Sequence, residues 1–299
     1  MLKKIRFFLF SLKTLVNRVE NIQLSLGRIE NLINSDKKNG FITEFKVFSQ
    51  WGEDGILQSI INNIQISNKV FVEFGVETYT ESNTRFLLFN NNWSGLVIDG
   101  SIKNVDFIKS DPVYWRFNLK ADCAFIDKDN INEILSRNGL KDEVGVLSID
   151  IDGNDYWVWQ EINVINPAVV ICEYNSLWGS SHAVTTPYDP HFVRRSKHFS
   201  CLYYGASIKA LEILANKKGY SLVAGNTSGN NVFFVRNDLL GNLKPTTAEV
   251  AWVRSQFRES RDQNGRLSFL SFNERRALLS GMPLFDIKTN QNIKVSDLG

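Results

Sequence analysis

Asp150 and Asp152 stand two residues apart at the end of an apolar run, and Gly153, Asn154 and Asp155 follow at once in "SIDIDGNDYW". Carboxylates in this pattern suit four roles: metal ligation, proton transfer, the D-x-D of a sugar-nucleotide transferase, or the polar end of a buried strand. Glu173 and Asn175 close a second apolar run, "AVVICEYN". If the two runs are neighbouring strands, Asp150 or Asp152 together with Glu173 and Asn175 makes an oxygen-rich cluster suited to Mg²⁺, which prefers carboxylates and retained waters. A metal there would lower the pKa of a bound hydroxyl. Without metal, a carboxylate or His182 is the candidate general base. The chain is expected to turn at Asp150, so that both aspartates face one cleft.

These residues need a scaffold, and the pattern from Phe45 onward supplies one. Short β-branched runs, "KVFVEFGV", "SGLVIDG", "VGVLSIDI" and "AVVICEYN", read as strands buried on both faces. "VYWRFNL" is a further strand candidate. Between them lie amphipathic helices, among them "GEDGILQSIINNI", "NTRFLLFNNN" and "GASIKALEILANKKG". Asn130 and Glu133 stand at capping-box spacing at the start of another. "YSLVAG" and "NVFFVRN", joined by "NTSGN", read as an antiparallel hairpin. Alternating strands and helices predict a doubly wound α/β sheet covered on both faces.

In such sheets ligands bind at the carboxyl ends of the strands. "VEFGV" then places Glu73 and Gly75 at the mouth, and "VIDG" places Asp99 where a carboxylate can grip a ribose diol. The stretch after the first strand, "GVETYTES", lacks the second and third glycines of a dinucleotide cradle. A nucleoside without pyrophosphate fits better, S-adenosylmethionine being the common one.

"FVEFGV", "SNTRFLL", "LVIDG" and "SIDIDGND" resemble the motifs of FkbM-like S-adenosylmethionine-dependent methyltransferases. The resemblance runs from about residue 45 to 236 and sets Asp150, Asp152, Gly153 and Asp155 on that family's I-D-V-E-G-x-E pattern. It implies the Rossmann-like class I methyltransferase sheet, mostly parallel with a terminal antiparallel hairpin. It also implies cofactor contacts from Glu73, Gly75, Ser82, Asn83, Asp99, Gly100 and Ser101. "SQWGED", "YYGAS" and "NNVFFVRND" resemble a bacterial subfamily found near surface-polysaccharide genes, and the macrocin-type sugar methyltransferases resemble this chain in an acid cluster that binds magnesium. The expected activity is O-methylation of a sugar or glycan precursor, nucleotide- or lipid-linked. The alternative is a metal-dependent GT-A glycosyltransferase using the D-x-D at 150–152.

The segment "SLWGSSHAVTTPYDPHFVRRSKHFSCLYYGAS" is long for a loop and suggests a binding role. It holds the three histidines, His182, His191 and His198, with Arg194 and Arg195 as candidates for an anionic group. Trp178, Tyr188, Tyr203 and Tyr204 are candidates to stack on a sugar ring. Residues 241–299 show no strong pattern and are expected to form an appended helical lobe beyond a catalytic domain at 39–240.

Residues 1–38 read as a separate helix. Ile5, Phe8, Leu12, Leu15, Val19, Ile22, Leu26, Ile29 and Ile33 alternate by three and four, the seam of a coiled coil, and predict a homo-oligomer. Lys3, Lys4, Arg6 and Lys13 precede any acid and favour contact with an anionic membrane surface. "NSDKKNG" is expected to end the helix. The uncharged run Phe7–Leu12 is far below the roughly 20 residues of a membrane span. Among 299 residues the net charge of +2 gives no argument for nucleic acid, and three cysteines at no metal or disulfide spacing suit a reducing cytoplasm, with peripheral contact at the inner membrane.

Overall fold

The computed structural model describes residues 2–35 and 40–299. Helix α1 (Leu2–Ser35) runs unbroken for 34 residues, about 51 Å at 1.5 Å per residue. The expected stop in "NSDKKNG" and the boundary at residue 38 fall at 36–39, outside the described residues. One face of α1 docks on the domain. Leu24 packs at 6% exposure among Phe45, Val47, Phe48 and Phe86. Gly27 is the point of closest approach, since a methyl there would sit 2.3 Å from Val47 Cγ2. Glu20 pairs with Arg85 at 3.2 Å, and Asn31 donates to Gln58 at 3.2 Å. The opposite face carries the nine seam residues, all 41–62% exposed. No described helix is long and apolar enough to cross a membrane.

Helix α2 (Glu53–Asn63) opens under the "SQWGED" turn. Asp54 reaches back to accept from the backbone N–H groups of Val47, Phe48 and Ser49 at 2.7–2.8 Å, which fixes the chain entering the domain. The alternating elements then follow: β1 (Val70–Phe74), α3 (Arg85–Asn91), β2 (Ser94–Asp99), α4 (Ile102–Ser110), α5 (Pro112–Arg116), β3 (Leu119–Cys123), α6 (Ile131–Arg137), β4 (Asp142–Ile149), α7 (Asp155–Glu161) and β5 (Ile165–Glu173). "VYWRFNL" is not one strand. Asp111 caps Val113 N and Pro112 occupies the first turn, so its first half is α5 and only its end enters β3. The capping box expected at Asn130 does not form, because its carboxamide accepts from Asp127 N and donates to Phe125 O.

Beyond β5 come the short β6 (Val184–Thr185), α8 (Arg194–Lys197), α9 (Ile208–Lys217), β7 (Tyr220–Gly225) and β8 (Asn231–Arg236). The main sheet has seven strands in the order β3-β2-β1-β4-β5-β8-β7. Strands β3 through β5 are parallel, while β8 runs antiparallel to both β5 and β7. This is the class I methyltransferase fold that the motifs imply. Ile131, Leu135, Trp159, Leu211 and Phe234 pack on one face of the sheet, and Ile56, Leu88, Val105, Val146 and Phe233 on the other.

Residues after 240 form α10 (Ala248–Ala251), α11 (Phe272–Leu278), β9 (Pro283–Asp286) and β10 (Gln291–Lys294). The expected helical lobe is therefore part sheet. β9 pairs with both β10 and β6, so the C-terminal segment completes a three-stranded sheet with the long segment after β5. Trp178, Tyr203 and Tyr204 are buried in the core between them, with Leu284 and Val295.

Burial lifts the Asp54 carboxyl from its ordinary 3.8 to about 6, against the backbone N–H groups that favour its charge. The folded chain thus holds this proton more tightly than the unfolded chain. The resulting stabilisation is complete below the unfolded value and is lost as pH rises through the folded one. Asp54→Asn is neutral throughout. Its urea-unfolding free energy should fall less steeply between about pH 4 and about pH 7 than that of the unmodified protein.

Candidate active site

The carboxyl ends of β1, β2, β4 and β5 open onto a cleft of about 580 Å³. Gly75 leaves β1 with φ +72°, and a methyl on it would lie 1.6 Å from the carbonyl oxygen of Asp150. The glycine is thus required by the end of the neighbouring strand, and it also lines the cleft. Glu73 lines the cleft as well. It accepts from Asn83 N at 2.8 Å, Thr84 N at 3.1 Å and the Thr84 hydroxyl at 2.5 Å, and so holds the loop from β1 to α3 against the sheet. Asn83 donates onward to Ser148 Oγ at 3.1 Å. Ser82 lines the cleft. At the end of β2, Asp99 lines the same cleft, with one oxygen accepting from Glu77 N and the other from Ser101 N and Asn104 Nδ2 at 2.8–2.9 Å. Gly100 is on the wall, whereas Ser101 is not.

Across the cleft lie the acids. Strand β4 stops at Ile149, one residue before Asp150, and the left-handed residue of the turn is Asp152 at φ +59°. Asp155, buried, shapes this turn by accepting from Ile151 N and Gly153 N at 2.9 Å, and burial raises its carboxyl to about 6. The result brings one carboxylate oxygen each of Asp150, Asp152 and Glu173 within 4.8 Å of one another. Burial and the neighbouring Asp152 and Asp155 push the Asp150 carboxyl well above the ordinary range. Burial and Asp150 do the same to Glu173. Arg194 supplies the countercharge. Its Nη1 meets Asp152 at 2.6 Å while its guanidinium lies 3.8 Å from the Tyr204 ring centroid.

Six further expected residues fall elsewhere. Asn175 is absent from the cleft wall, since its amide donates to Leu202 O and Tyr204 O and its oxygen caps Leu177 N. His182 also lies off the wall, just before β6. The aromatic residues expected to stack on a sugar are core or tethered: Trp178, Tyr203 and Tyr204 are buried, and Tyr188 donates to Asp129 at 3.1 Å. Phe125, Arg194 and Asn231 line the cleft instead. Phe125 is 50% exposed beside Gly100. Only the position of "RR" in a long polar segment pointed toward Arg194; nothing in the local sequence marked Phe125.

No family model matches the chain, and no curated protein matches it. Among solved structures it is similar to the N-terminal domain of EvdMO1 with S-adenosylhomocysteine bound, at 11% identity over 70% of this chain and 96% of that one, TM-score 0.40. It is similar to an S-adenosylmethionine-dependent methyltransferase from Clostridium acetobutylicum, at 11% identity over 56% and 83%, TM-score 0.35. It is also similar to the O-methyltransferase from Bacillus cereus in complex with S-adenosylhomocysteine, at 14% identity over 72% and 90%, TM-score 0.37. The fold assignment rests on the strand order and directions of this chain's own sheet.

Gly75→Ala places its methyl inside the Asp150 carbonyl at a left-handed φ, so β1 and β4 must separate. The expected loss is about 3 kcal/mol, read as a lower urea midpoint with unchanged denaturant slope.

Proposed function

We propose that this chain is an S-adenosylmethionine-dependent O-methyltransferase that modifies a hydroxyl of a sugar or glycan precursor, of the FkbM-like kind its motifs resemble. One observation carries the reading: a single cleft joins Asp99, at the end of β2, to the Asp150–Asp152–Glu173 cluster at the ends of β4 and β5. Asp99 is the group to hold a ribose diol, with the exposed ring of Phe125 beside it for a purine. The cofactor supplies a methyl group on a sulfonium centre, and a hydroxyl oxygen attacking that carbon must lose its proton. A carboxylate of the cluster takes it. Asp150 suits this because its raised pKa makes it a stronger base than an ordinary aspartate. Arg194 keeps Asp152 oriented and limits the repulsion among the acids.

The donor set also fits a hard divalent cation. It is all oxygen, and the buried Glu173 Oε2 has no protein partner, at 8% exposure of the residue. Mg²⁺ held by Asp150, Asp152 and Glu173 would lower the pKa of a bound hydroxyl. The reading places the enzyme in the cytoplasm, with the basic tip of α1 in peripheral contact with the inner membrane.

Calorimetry separates this from a sugar-nucleotide transferase: S-adenosylhomocysteine should bind and UDP should not, and the reverse result sinks the proposal. Asp99→Ala should cost about 1.5–3 kcal/mol of S-adenosylhomocysteine affinity in a folded protein.

The exposed seam of α1 supports pairing with a second copy. Its test is substitution, because Glu20, Leu24 and Gly27 belong to the domain's own packing. Leu15→Glu with Ile22→Glu should turn a dimer into a monomer by light scattering. A monomeric unmodified chain, or a double variant that keeps its dimer mass, refutes self-association; loss of anionic-liposome binding without a change of mass assigns the face to lipid.

A further inference from the structure

The register of the sheet brings a further residue, Asn231, beside the acid cluster. Ser148 on β4 pairs with Ile171 on β5, Ile171 pairs with Phe233 on β8, and Glu173 pairs with Asn231. Side chains two residues apart point to one face of a sheet. Asp150 lies just past the end of β4, two residues beyond Ser148, with a carboxylate oxygen within 4.8 Å of one on Glu173, whose ladder partner on β8 is Asn231. Asn231 lines the cleft, is only 3% exposed, and its Oδ1 has no partner. Its direct neighbour across the ladder, Glu173, carries the other unpartnered oxygen, Oε2.

Which end of the Asn231 amide faces the cleft is decided by Glu53. Asn231 Nδ2 donates to Glu53 Oε1 at 3.0 Å, and the same oxygen accepts from Asn226 Nδ2 at 2.6 Å. Glu53 Oε2 accepts from Trp51 N at 2.9 Å. A carboxylate surrounded by N–H donors takes the NH₂ of Asn231, so the carbonyl oxygen is left for the cleft. An amide tether needed only to join α2 to the β7–β8 hairpin would not leave its oxygen buried and unpaired on the ladder partner of a residue that carries a second unpaired oxygen, since each such group has given up its hydrogen bonds to water for nothing. An electropositive occupant removes both costs. Carboxylate oxygens with one neutral carbonyl and no nitrogen or sulfur are the ligands of a hard divalent cation.

We propose that Asn231 Oδ1 is a neutral ligand of a divalent-cation site shared with Asp150 and Glu173, and that Glu53 is the residue that orients it. The inference rests on the reading that the acid cluster takes a cation. It assigns a role to the "SQWGED" and "NNVFFVRND" motifs: one supplies the orienting carboxylate, the other the ligand.

Mn²⁺ alone is the probe, titrated into the full-length protein by calorimetry, with S-adenosylhomocysteine affinity and thermal midpoint measured on the same samples. Asn231→Ala should weaken Mn²⁺ binding by at least about tenfold and leave S-adenosylhomocysteine affinity unchanged. Asn231→Asp sets a carboxylate against Glu53, so its thermal midpoint should fall without metal. Mn²⁺ should bind it at least as tightly as the unmodified protein and restore that midpoint. Unchanged Mn²⁺ affinity in Asn231→Ala overturns the proposal, as does an Asn231→Asp protein that Mn²⁺ does not rescue. Absence of Mn²⁺ binding to the unmodified protein overturns it too, while S-adenosylhomocysteine binding in that sample leaves the methyltransferase reading standing. Mn²⁺ binding that follows the predicted pattern without any S-adenosylhomocysteine binding upholds the ligand and sinks the methyltransferase.

Discussion

The contact between Gly75 and the carbonyl of Asp150 governs the rest of the site. Two parallel strands end side by side, and the first must leave with a left-handed residue because the second presents its carbonyl where a side chain would be. The departing chain is then free to fold back as the loop that Glu73 pins through Asn83 and Thr84. The same contact fixes Asp150 one residue past its strand, at the edge of the cleft. The loop after β1 and the acid cluster are thus held by one backbone approach.

Electrostatics explains why the acids are few-partnered. Asp54, Glu73 and Asp155 are buried, and each is wrapped in backbone N–H donors, so each acts as a structural clamp on a turn. Asp150 and Glu173 have no such wrapping; burial, and after it neighbouring acids (Asp152 and Asp155 for Asp150, Asp150 for Glu173), raise both carboxyls well above their ordinary range. Arg194 reaches only the outermost member, Asp152.

Helix α1 divides its duties by face. Leu24 and Gly27 bind it to the domain, with Glu20 and Asn31 adding polar contacts at the edges. The seam from Ile5 to Ile33 points away and stays exposed. A heptad seam and a docking stripe coexist because they occupy opposite sides of one cylinder.

The strands, most helices and the hairpin were legible from sequence, since burial on both sheet faces leaves β-branched runs that no surface segment shows. Strand ends then placed Glu73, Asp99, Asp150 and Glu173 near one edge, because side chains at carboxyl ends must open onto the crevice. The "VYWRFNL" stretch misled because Pro112 and its Asp111 cap outweighed an aromatic, strand-like composition. What the tertiary structure decided was direction and pairing. Asn175 and His182 lie close in sequence to Glu173, yet His182 is off the wall and Asn175 is absorbed in a turn by hydrogen bonds to Leu202 and Tyr204, partners that its local sequence does not reveal. The stacking aromatic residues became a core only when residues after 240 came to cover them. Asn231 joined the acids only through the register of β8 on β5, a long-range pairing that local sequence does not encode.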